Sequence, residues 1–141
     1  MVLVAKDIMD PDELTVDEEA DALTCARAMA ARHKGYAVLT RQGGIAGIVT
    51  EWDFLAKVVA EQRDPAQVPV RTIATAQVDA CAPNTPTDVV VAQMAEKGIR
   101  RMVVRSGDRV VGVITSRNVL ANFRAYVDRV SSEIAGYQSP V

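Results

Sequence analysis

The stretch "GIVTEWDFL", residues 47–55, returns sixty-five positions later as "GVITSRNVL", residues 112–120. The two copies share a glycine, a threonine and a leucine at equivalent positions, with apolar residues between them, but Asp53 of the first copy is Asn118 in the second. Self-similarity at a fixed spacing is the signature of a repeated structural unit. The sequence therefore predicts two copies of one unit, and it raises the question of why only one copy keeps the carboxylate.

The repeat extends along most of the chain without an insertion. Five further pairs of identical residues have the same offset: Ile8 and Ile73, Met29 and Met94, Ala30 and Ala95, Val38 and Val103, and Ala56 and Ala121. We therefore divide the chain into residues 1–65, residues 66–125 and a tail, 126–141, with the proline-containing segment "EQRDPAQVPV" as linker. Because a unit of about 60 residues is marginally stable alone, we expect the two halves to pack against each other.

Each half has the same predicted order of elements. Apolar residues at helical spacing predict a first helix over residues 18–32, and helical spacing returns after Thr50. Between the helices, "YAVLT" and "IAGIV" are joined by "RQGG", and the second half has "MVVR" and "VVGVI" joined by "SGD". Short connections that contain glycine are typical of β-hairpins. The pattern predicts an α+β fold in which β-α-β-β-α occurs twice.

These features resemble the CBS domain, a family named after cystathionine β-synthase. The resemblance is carried by the lead-in "KDIM", the opening "RRMVV" of the middle strand, and the phrase "GIVTEWD" at the end of the hairpin. It covers residues 6–124. It implies a tandem pair of βαββα repeats related by a pseudo-two-fold axis, with ligand clefts between the repeats.

The resemblance also implies which residues bind an adenosine nucleotide. For the cleft that we call the first cleft, it gives a threonine and an aspartate for the ribose, backbone and apolar groups for adenine, and arginines for phosphate. These residues are Thr50, Asp53, Val78, Asp79, Arg100, Arg101 and Arg117. The equivalent second cleft would use Leu14, Gly35, Tyr36, Thr115 and Asn118. Because Asn118 lacks the charge of a carboxylate, we expect the second cleft to be empty, weak or suited to an uncharged nucleoside.

The phrase "TEWD" also has a purely structural interpretation. Thr50 stands between a strand and a helix, where its hydroxyl can cap the first turn, and Asp53 occupies the third helical position of a capping box. A carboxylate beside a helix start can alternatively accept two hydrogen bonds from a ribose diol. Both interpretations remain open at the level of sequence.

Charge and composition limit the function classes. The chain has 16 basic and 18 acidic residues, a net charge of -2, so its overall charge does not favour nucleic acid or an anionic membrane as partner. We expect no transmembrane segment, a cytoplasmic location, and buried, reduced thiols at Cys25 and Cys81. His33 is the only histidine, and no nucleophile–base pair, metal cluster or cofactor loop can be assembled, so we expect no enzyme, no metal and no required cofactor.

We therefore expect a regulatory module that senses AMP, ADP, ATP or S-adenosylmethionine between its repeats and acts on an unidentified regulated protein. The alternative is a dimeric adaptor with degenerate ligand sites. The tail carries an apolar stripe at Phe123, Tyr126, Val127, Val130 and Ile134. This stripe predicts either a homodimer contact or a helix that folds back on its own pair, and the resemblance, which implies dimers, favours the first.

Overall fold

The computed structural model describes residues 3–136. The first half contains α1 (Ala5–Ile8), β1 (Thr15–Asp17), α2 (Ala22–Ala31), β2 (Tyr36–Arg41), β3 (Gly44–Thr50) and α3 (Glu51–Phe54), which continues as a π-helical turn, Leu55–Val59. Two short 3₁₀ turns, Pro65–Gln67 and Val70–Thr72, lead to the second half. The second half contains β4 (Ala80–Cys81), α4 (Thr87–Lys97), β5 (Arg101–Ser106), β6 (Arg109–Thr115) and α5 (Ser116–Gly136).

The first long helix begins later than the sequence pattern predicts. It starts at Ala22, because the Asp21 side chain caps it by accepting a hydrogen bond of 2.7 Å from the Thr24 N–H. Glu18, which the pattern includes in the helix, instead lies before it. There its carboxylate is buried and pairs with Arg41 of β2.

The two sheets repeat each other residue for residue. In each, the first strand runs parallel to the second and the second pairs antiparallel with the third. Val38 pairs with Ile48 in the first sheet, and Val103 pairs with Val113 in the second, at the same offset of sixty-five. Even the shift of register recurs, after Leu39 and after Val104. The predicted α+β fold with two βαββα units is confirmed.

The hydrophobic core consists of one cluster in each unit and a third between them. The third cluster contains Tyr36, Val38, Val103 and Val113, so the two sheets share apolar contacts as expected for units too small to fold alone. Cys25 belongs to the first unit's cluster and Cys81 to the second's. Both are buried and free, as predicted, and burial raises the pKa of Cys25 to about 11.

The packing of the cores crosses the boundary of the sequence repeat. A segment at residues 70–75 covers the first core with Val70 and Ile73, although it belongs to the second half of the sequence repeat. Its counterpart, residues 5–10, covers the second core with Ala5 and Ile8. We call these two stretches the cover segments. The predicted division at residues 65 and 66 thus describes the sequence repeat, whereas each core is completed by residues from across it.

The cover segments explain why both copies of the repeated phrase contain a glycine, Gly47 in the first and Gly112 in the second. Thr75 exchanges two backbone hydrogen bonds of 2.9 Å with Ile48, and Asp10 exchanges two with Val113. A Cβ at Gly47 would lie 2.9 Å from the Thr75 carbonyl oxygen, and one at Gly112 would lie 3.0 Å from that of Asp10. Glycine therefore lets each cover segment cross its hairpin at backbone distance.

The last helix is long and largely exposed. α5 continues through the predicted start of the tail at residue 126 without a break, and residues 137–141 of that predicted tail lie outside the described part of the chain. Phe123, Tyr126, Val127 and Ile134 are exposed. Among residues 3–136, no helix combines the length and the apolar character required to cross a bilayer.

Candidate functional site

The first cleft is a cavity of about 740 Å³ between the end of β3 and the start of β5. Its lining is mainly apolar with a polar edge, and it includes Ile48, Thr50, Glu51, Trp52, Leu55, Thr75, Gln77, Val78, Asp79, Gly98, Ile99, Arg100 and Arg101. Five of the seven residues predicted for this cleft therefore line it. The two exceptions are Asp53 and Arg117.

Asp53 lies behind the cleft wall, with its carboxylate already engaged. It is 7% exposed. One oxygen, Oδ2, accepts hydrogen bonds from the Thr50 N–H at 2.8 Å and the Thr50 hydroxyl at 3.3 Å. The other oxygen, Oδ1, lies 2.9 Å from Nζ of Lys57. The capping function of this side chain is thus realised, and its second oxygen is held by an ammonium group that the sequence analysis did not single out.

Lys57 was visible in the sequence as a lysine four residues after an aspartate, a spacing that places the two on one helix face. Its Nζ also donates a hydrogen bond of 2.9 Å to the Ile73 carbonyl oxygen. Lys57 therefore links α3 to the cover segment of the first core. That segment continues to Thr75, which lines the first cleft.

Val78 and Asp79 lie at the entrance to β4. The Asp79 carbonyl oxygen accepts a hydrogen bond of 3.0 Å from the Val103 N–H, which fixes this backbone against β5. The Asp79 carboxylate lies 2.7 Å from Lys97 Nζ. Val78 packs against the core cluster between the sheets, so it presents a fixed apolar surface beside the cleft.

Arg100 and Arg101 line both clefts, because they lie where the two hairpins meet. The Arg101 guanidinium is centred 5.8 Å from the middle of the Tyr36 ring, and its Nη2 lies 3.7 Å from Glu51 Oε1. Its Nε is buried, and within residues 3–136 it has no hydrogen-bond partner. A Cβ at Gly35 would lie 2.8 Å from Nη2, so the glycine leaves room for this guanidinium. The Arg101 side chain is 22% exposed, and a guanidinium group is a donor for an oxyanion.

The second cleft is smaller, about 430 Å³, and more strongly charged. Its lining comprises Asp10, His33, Lys34, Gly35, Tyr36, Glu51, Arg100, Arg101, Thr115, Ser116, Arg117 and Asn118. Asn118 Oδ1 accepts from the Thr115 N–H at 2.8 Å and from the Thr115 hydroxyl at 3.0 Å, so it caps α5 as Asp53 caps α3. Lys34 pairs with Asp10, and this hydrogen bond lowers the pKa of the Asp10 carboxyl.

Tyr36 brings a buried hydroxyl to this cleft. Among the described residues its oxygen has no hydrogen-bond partner, and burial raises its pKa to about 12. The hydroxyl therefore stays protonated at neutral pH and can donate a hydrogen bond.

Besides Asp53, two predicted residues lie elsewhere than expected. Arg117 lines the second cleft, because it is the second residue of α5 and thus the equivalent of Trp52, the second residue of α3, which lines the first cleft. Leu14 lines neither cleft. Its side chain is buried in the first core, while its carbonyl oxygen accepts a hydrogen bond of 2.9 Å from Val38 N–H.

The second cleft, which was expected to be empty, weak or suited to an uncharged nucleoside, carries more positive charge than the first. Three arginines and Lys34 line it, against two arginines in the first cleft. In the part of the chain that the structure describes, no group of three His, Cys, Asp or Glu side chains is placed to hold a metal ion.

Comparisons with known proteins match this architecture. A family model described as "CBS domain" matches residues 5–60 and again residues 70–125. The L-aspartate semialdehyde sulfurtransferase of Methanosarcina acetivorans is 30% identical over 120 residues, which are 84% of this chain but only 23% of that protein. The chain thus spans about a quarter of the length of this curated relative.

Two solved structures illustrate the similarity of the fold. The CBS domain protein PAE2072 from Pyrobaculum aerophilum, complexed with AMP, is 25% identical with a TM-score of 0.74, over 82% of this chain and 89% of that one. The CBS domain pair of protein MJ0100, in complex with 5′-methylthioadenosine and S-adenosyl-L-methionine, has a TM-score of 0.80. It is 23% identical, over 89% of this chain and 99% of that one, and this likeness concerns the fold alone.

Proposed function

The chain belongs to the CBS domain family, and on that premise we propose that it is a regulatory module that binds an adenosine-containing ligand between its two repeats. The candidates are AMP, ADP, ATP and S-adenosylmethionine. No cofactor is required in this proposal; the nucleotide is a regulatory ligand. The observation that carries it is the position of Arg100 and Arg101, whose guanidinium groups border both clefts where the repeats meet.

The first cleft suits the two ends of a nucleotide. Ile48, Val78 and Ile99 offer apolar surface to a purine base, and Thr50 offers a hydroxyl. The guanidinium groups of Arg100 and Arg101 are donors for phosphate oxygens. A volume of about 740 Å³ lies within the range of pockets that bury a small organic ligand.

The second cleft suits an anionic group more than the sequence indicated. Arg117, Arg101 and Tyr36 line it, and the N-terminus of the 21-residue helix α5 opens onto it. The dipole of a long helix favours an anion at its N-terminus. We therefore propose that phosphate-bearing ligands use both clefts and share Arg100 and Arg101.

A regulatory role requires that occupancy be communicated. Trp52, Leu55 and Val59 around α3 are exposed apolar residues, as are Leu120 and Phe123 on α5. We propose that these helices form a homodimer contact, and that a ligand which shifts the packing of the repeats alters how the dimer is read by a regulated protein. The role proposed is not catalytic. One relative is named as a sulfurtransferase, but this chain matches only about a quarter of that protein, so we do not propose this activity for the chain.

The test is calorimetric titration of the full chain with AMP, ADP, ATP, S-adenosylmethionine and adenosine. Replacing the two arginines that line both clefts, by Arg100→Gln and Arg101→Gln, should weaken AMP binding by more than about 100-fold, since each hydrogen bond to a charged group contributes about 1.5–3 kcal/mol. Adenosine binding should change by less than about twofold, because adenosine carries no phosphate. The matched control is Arg27→Gln with Arg109→Gln, two exposed arginines that line neither cleft.

If none of these ligands binds the wild-type chain, the sensor proposal is wrong. The second candidate, an adaptor with clefts that take no ligand, would then be favoured. That candidate rests on the burial of Asp53, whose carboxylate faces Lys57 and not the cleft. Equal losses of AMP and adenosine affinity would instead show that the arginines hold the structure and do not contact phosphate.

A further inference from the structure

The ion pair between Asp53 and Lys57 affects which ligand the first cleft can select. This inference rests on the proposed function. The resemblance implies that a ribose diol in the first cleft binds the Asp53 carboxylate, yet Asp53 is 7% exposed and absent from the cleft lining. Something must move before a diol can reach it. The contacts of Asp53 identify which group that is.

A carboxylate has about four lone-pair positions for hydrogen-bond donors. Those of Asp53 Oδ2 face the Thr50 N–H and hydroxyl, which also hold the start of α3. Those contacts are part of the helix cap, so they would remain when a ligand binds. A ligand can therefore bind only Oδ1 without unravelling the helix start, and because Lys57 at 2.9 Å takes one of its two positions, the two hydrogen bonds of a diol require Lys57 to leave.

Lys57 is suited to such a transfer. Its side chain is 46% exposed, and its aliphatic stem has several rotatable bonds, so the ammonium can reach solvent by rotation. When it leaves Oδ1 it also releases the Ile73 carbonyl oxygen, 2.9 Å away, in the cover segment that leads to Thr75 on the cleft wall. Displacement of Lys57 is thus coupled to the segment that bounds the cleft.

The second repeat provides an internal comparison. At the positions equivalent to Asp53 and Lys57, it has Asn118 and Asn122. Asn118 keeps the cap, and Asn122 donates its amide to the Asn118 carbonyl oxygen at 2.8 Å, so the Asn118 side chain is left open to its cleft. Both charges are absent from the same copy, which indicates that the aspartate and the lysine act as a pair.

We propose that Lys57 is a latch on Asp53, which a diol-bearing ligand must displace, and that it thereby suppresses the preference of the first cleft for ribose over 2′-deoxyribose. Lys57 itself contacts no ligand in this proposal. It acts through Asp53, and its removal frees Oδ1 for the diol.

The test compares AMP with 2′-deoxy-AMP by two-site calorimetric titration of the full chain. The quantity measured is the dissociation constant of 2′-deoxy-AMP divided by that of AMP, which rises as the preference for ribose increases. Lys57→Met, which keeps the stem and removes the ammonium, should raise this ratio in the first cleft by about fivefold, an effect in the range measured for partly exposed ion pairs. Lys57→Gln is the second variant, in case Lys57→Met folds poorly, and it should raise the ratio in the same direction.

Two controls separate the latch from a general effect of charge. Lys57→Arg keeps a cation next to Asp53 and should retain the wild-type ratio. Arg27→Met removes one positive charge at an exposed site that lines neither cleft, and it should also leave the ratio unchanged. Both nucleotides carry the same phosphate, so the loss of a positive charge cancels in the ratio.

An unchanged ratio in Lys57→Met and Lys57→Gln, with nucleotide still bound, overturns the latch and leaves the proposed function intact. Lower thermal stability with no change in the ratio has the same meaning, since it assigns Lys57 a purely structural role. Nucleotide binding by Lys57→Met alone, with none by the wild type, supports the latch but contradicts sensing by the unmodified chain. No binding by any variant overturns both proposals.

Discussion

The two clefts share a backbone but differ in the side chains placed on it. Where the first cleft has Thr75 and Ile99, the equivalent positions of the second are Asp10 and Lys34, which form an ion pair. Where the first has Trp52, the second has Arg117. The first cleft is therefore the larger and more apolar, and the second the smaller and more charged.

This difference shows that one residue of a motif does not determine the charge of a site. Asp53 and Asn118 have the same capping role, and neither side chain alone determines the net charge around its cleft. The charge of Asp53 is matched by Lys57, while the cations around Asn118 come from other elements of both repeats. The surroundings of each motif thus give the clefts their character.

The largest expected effect concerns the cover segments, on which both clefts depend. Ile73 and Ile8 occupy equivalent positions and are 1% and 3% exposed. Because each fills a core cluster, Ile73→Ala and Ile8→Ala should each lower the free energy of unfolding by about 3 kcal/mol. Chemical denaturation followed by circular dichroism measures this.

If the two cover segments are equivalent, the two losses should agree within about 1 kcal/mol, the scatter expected between similar sites. Val89→Ala, at an exposed site on α4, serves as the control and should have little effect. A large loss of stability for Ile73→Ala with a negligible loss for Ile8→Ala would show that the free energy of unfolding depends mainly on the first core. The two cover segments would then not be equivalent.

The second prediction reduces the net positive charge of the second cleft. Asn118→Asp keeps an acceptor for the Thr115 N–H, so the cap of α5 should persist. The new carboxylate would compete with phosphate for Arg101 and Arg117, and AMP affinity in the second cleft should fall by about fivefold, as expected for one added charge near the surface. Two-site calorimetric titration with AMP, with adenosine as the uncharged reference, measures this.

Asn122→Asp is the matched control, because it adds the same charge one turn further along α5, at a residue that does not line the cleft. It should weaken AMP binding less than Asn118→Asp does. Tighter AMP binding by Asn118→Asp would indicate that the second cleft holds the ribose diol. The proposal that this cleft binds phosphate would then be wrong.

Much of the fold was predictable from the sequence, because its determinants are local. The short apolar runs and the glycine-containing connections predicted both hairpins, and the fixed offset predicted two copies of one unit. The cover segments were not predicted as exchanged between the units. Ile8 and Ile73 belong to the repeat by sequence, but which core each of them fills depends on tertiary packing.

The candidate site was predictable only in part, for a related reason. Arg100 and Arg101 line the first cleft, to which the resemblance assigned them, and also the second, to which it did not. Arg117 was assigned to the first cleft, although applying the offset of sixty-five to Trp52 would have indicated the second. The contact between Asp53 and Lys57 was visible as a helical spacing, but its consequence depends on the burial of Asp53, which no local pattern reveals.

The smallest expected effect concerns the ion pair that only the second cleft has. The hydrogen bond from Lys34 is the largest cause that lowers the pKa of Asp10 below its ordinary value. A carboxyl group with a lower pKa in the folded than in the unfolded state stabilises the fold above the unfolded pKa, and this contribution is lost as the pH falls through the folded value. Lys34→Gln should therefore lower the free energy of unfolding at pH 7, by less than about 1 kcal/mol for a single pair that water still reaches.

The difference between wild type and Lys34→Gln should shrink as the pH falls below about 4, the ordinary range of an aspartate, because protonation of Asp10 then removes the pair in both proteins. Denaturation midpoints measured between pH 3 and pH 7 provide the test. Lys6→Gln, which removes an exposed cation that does not contact Asp10, should show no such convergence. A difference that is constant across this range would mean that Lys34 stabilises the second cleft through packing of its stem, and the contrast between an ionic and an apolar cleft would rest on the arginines alone.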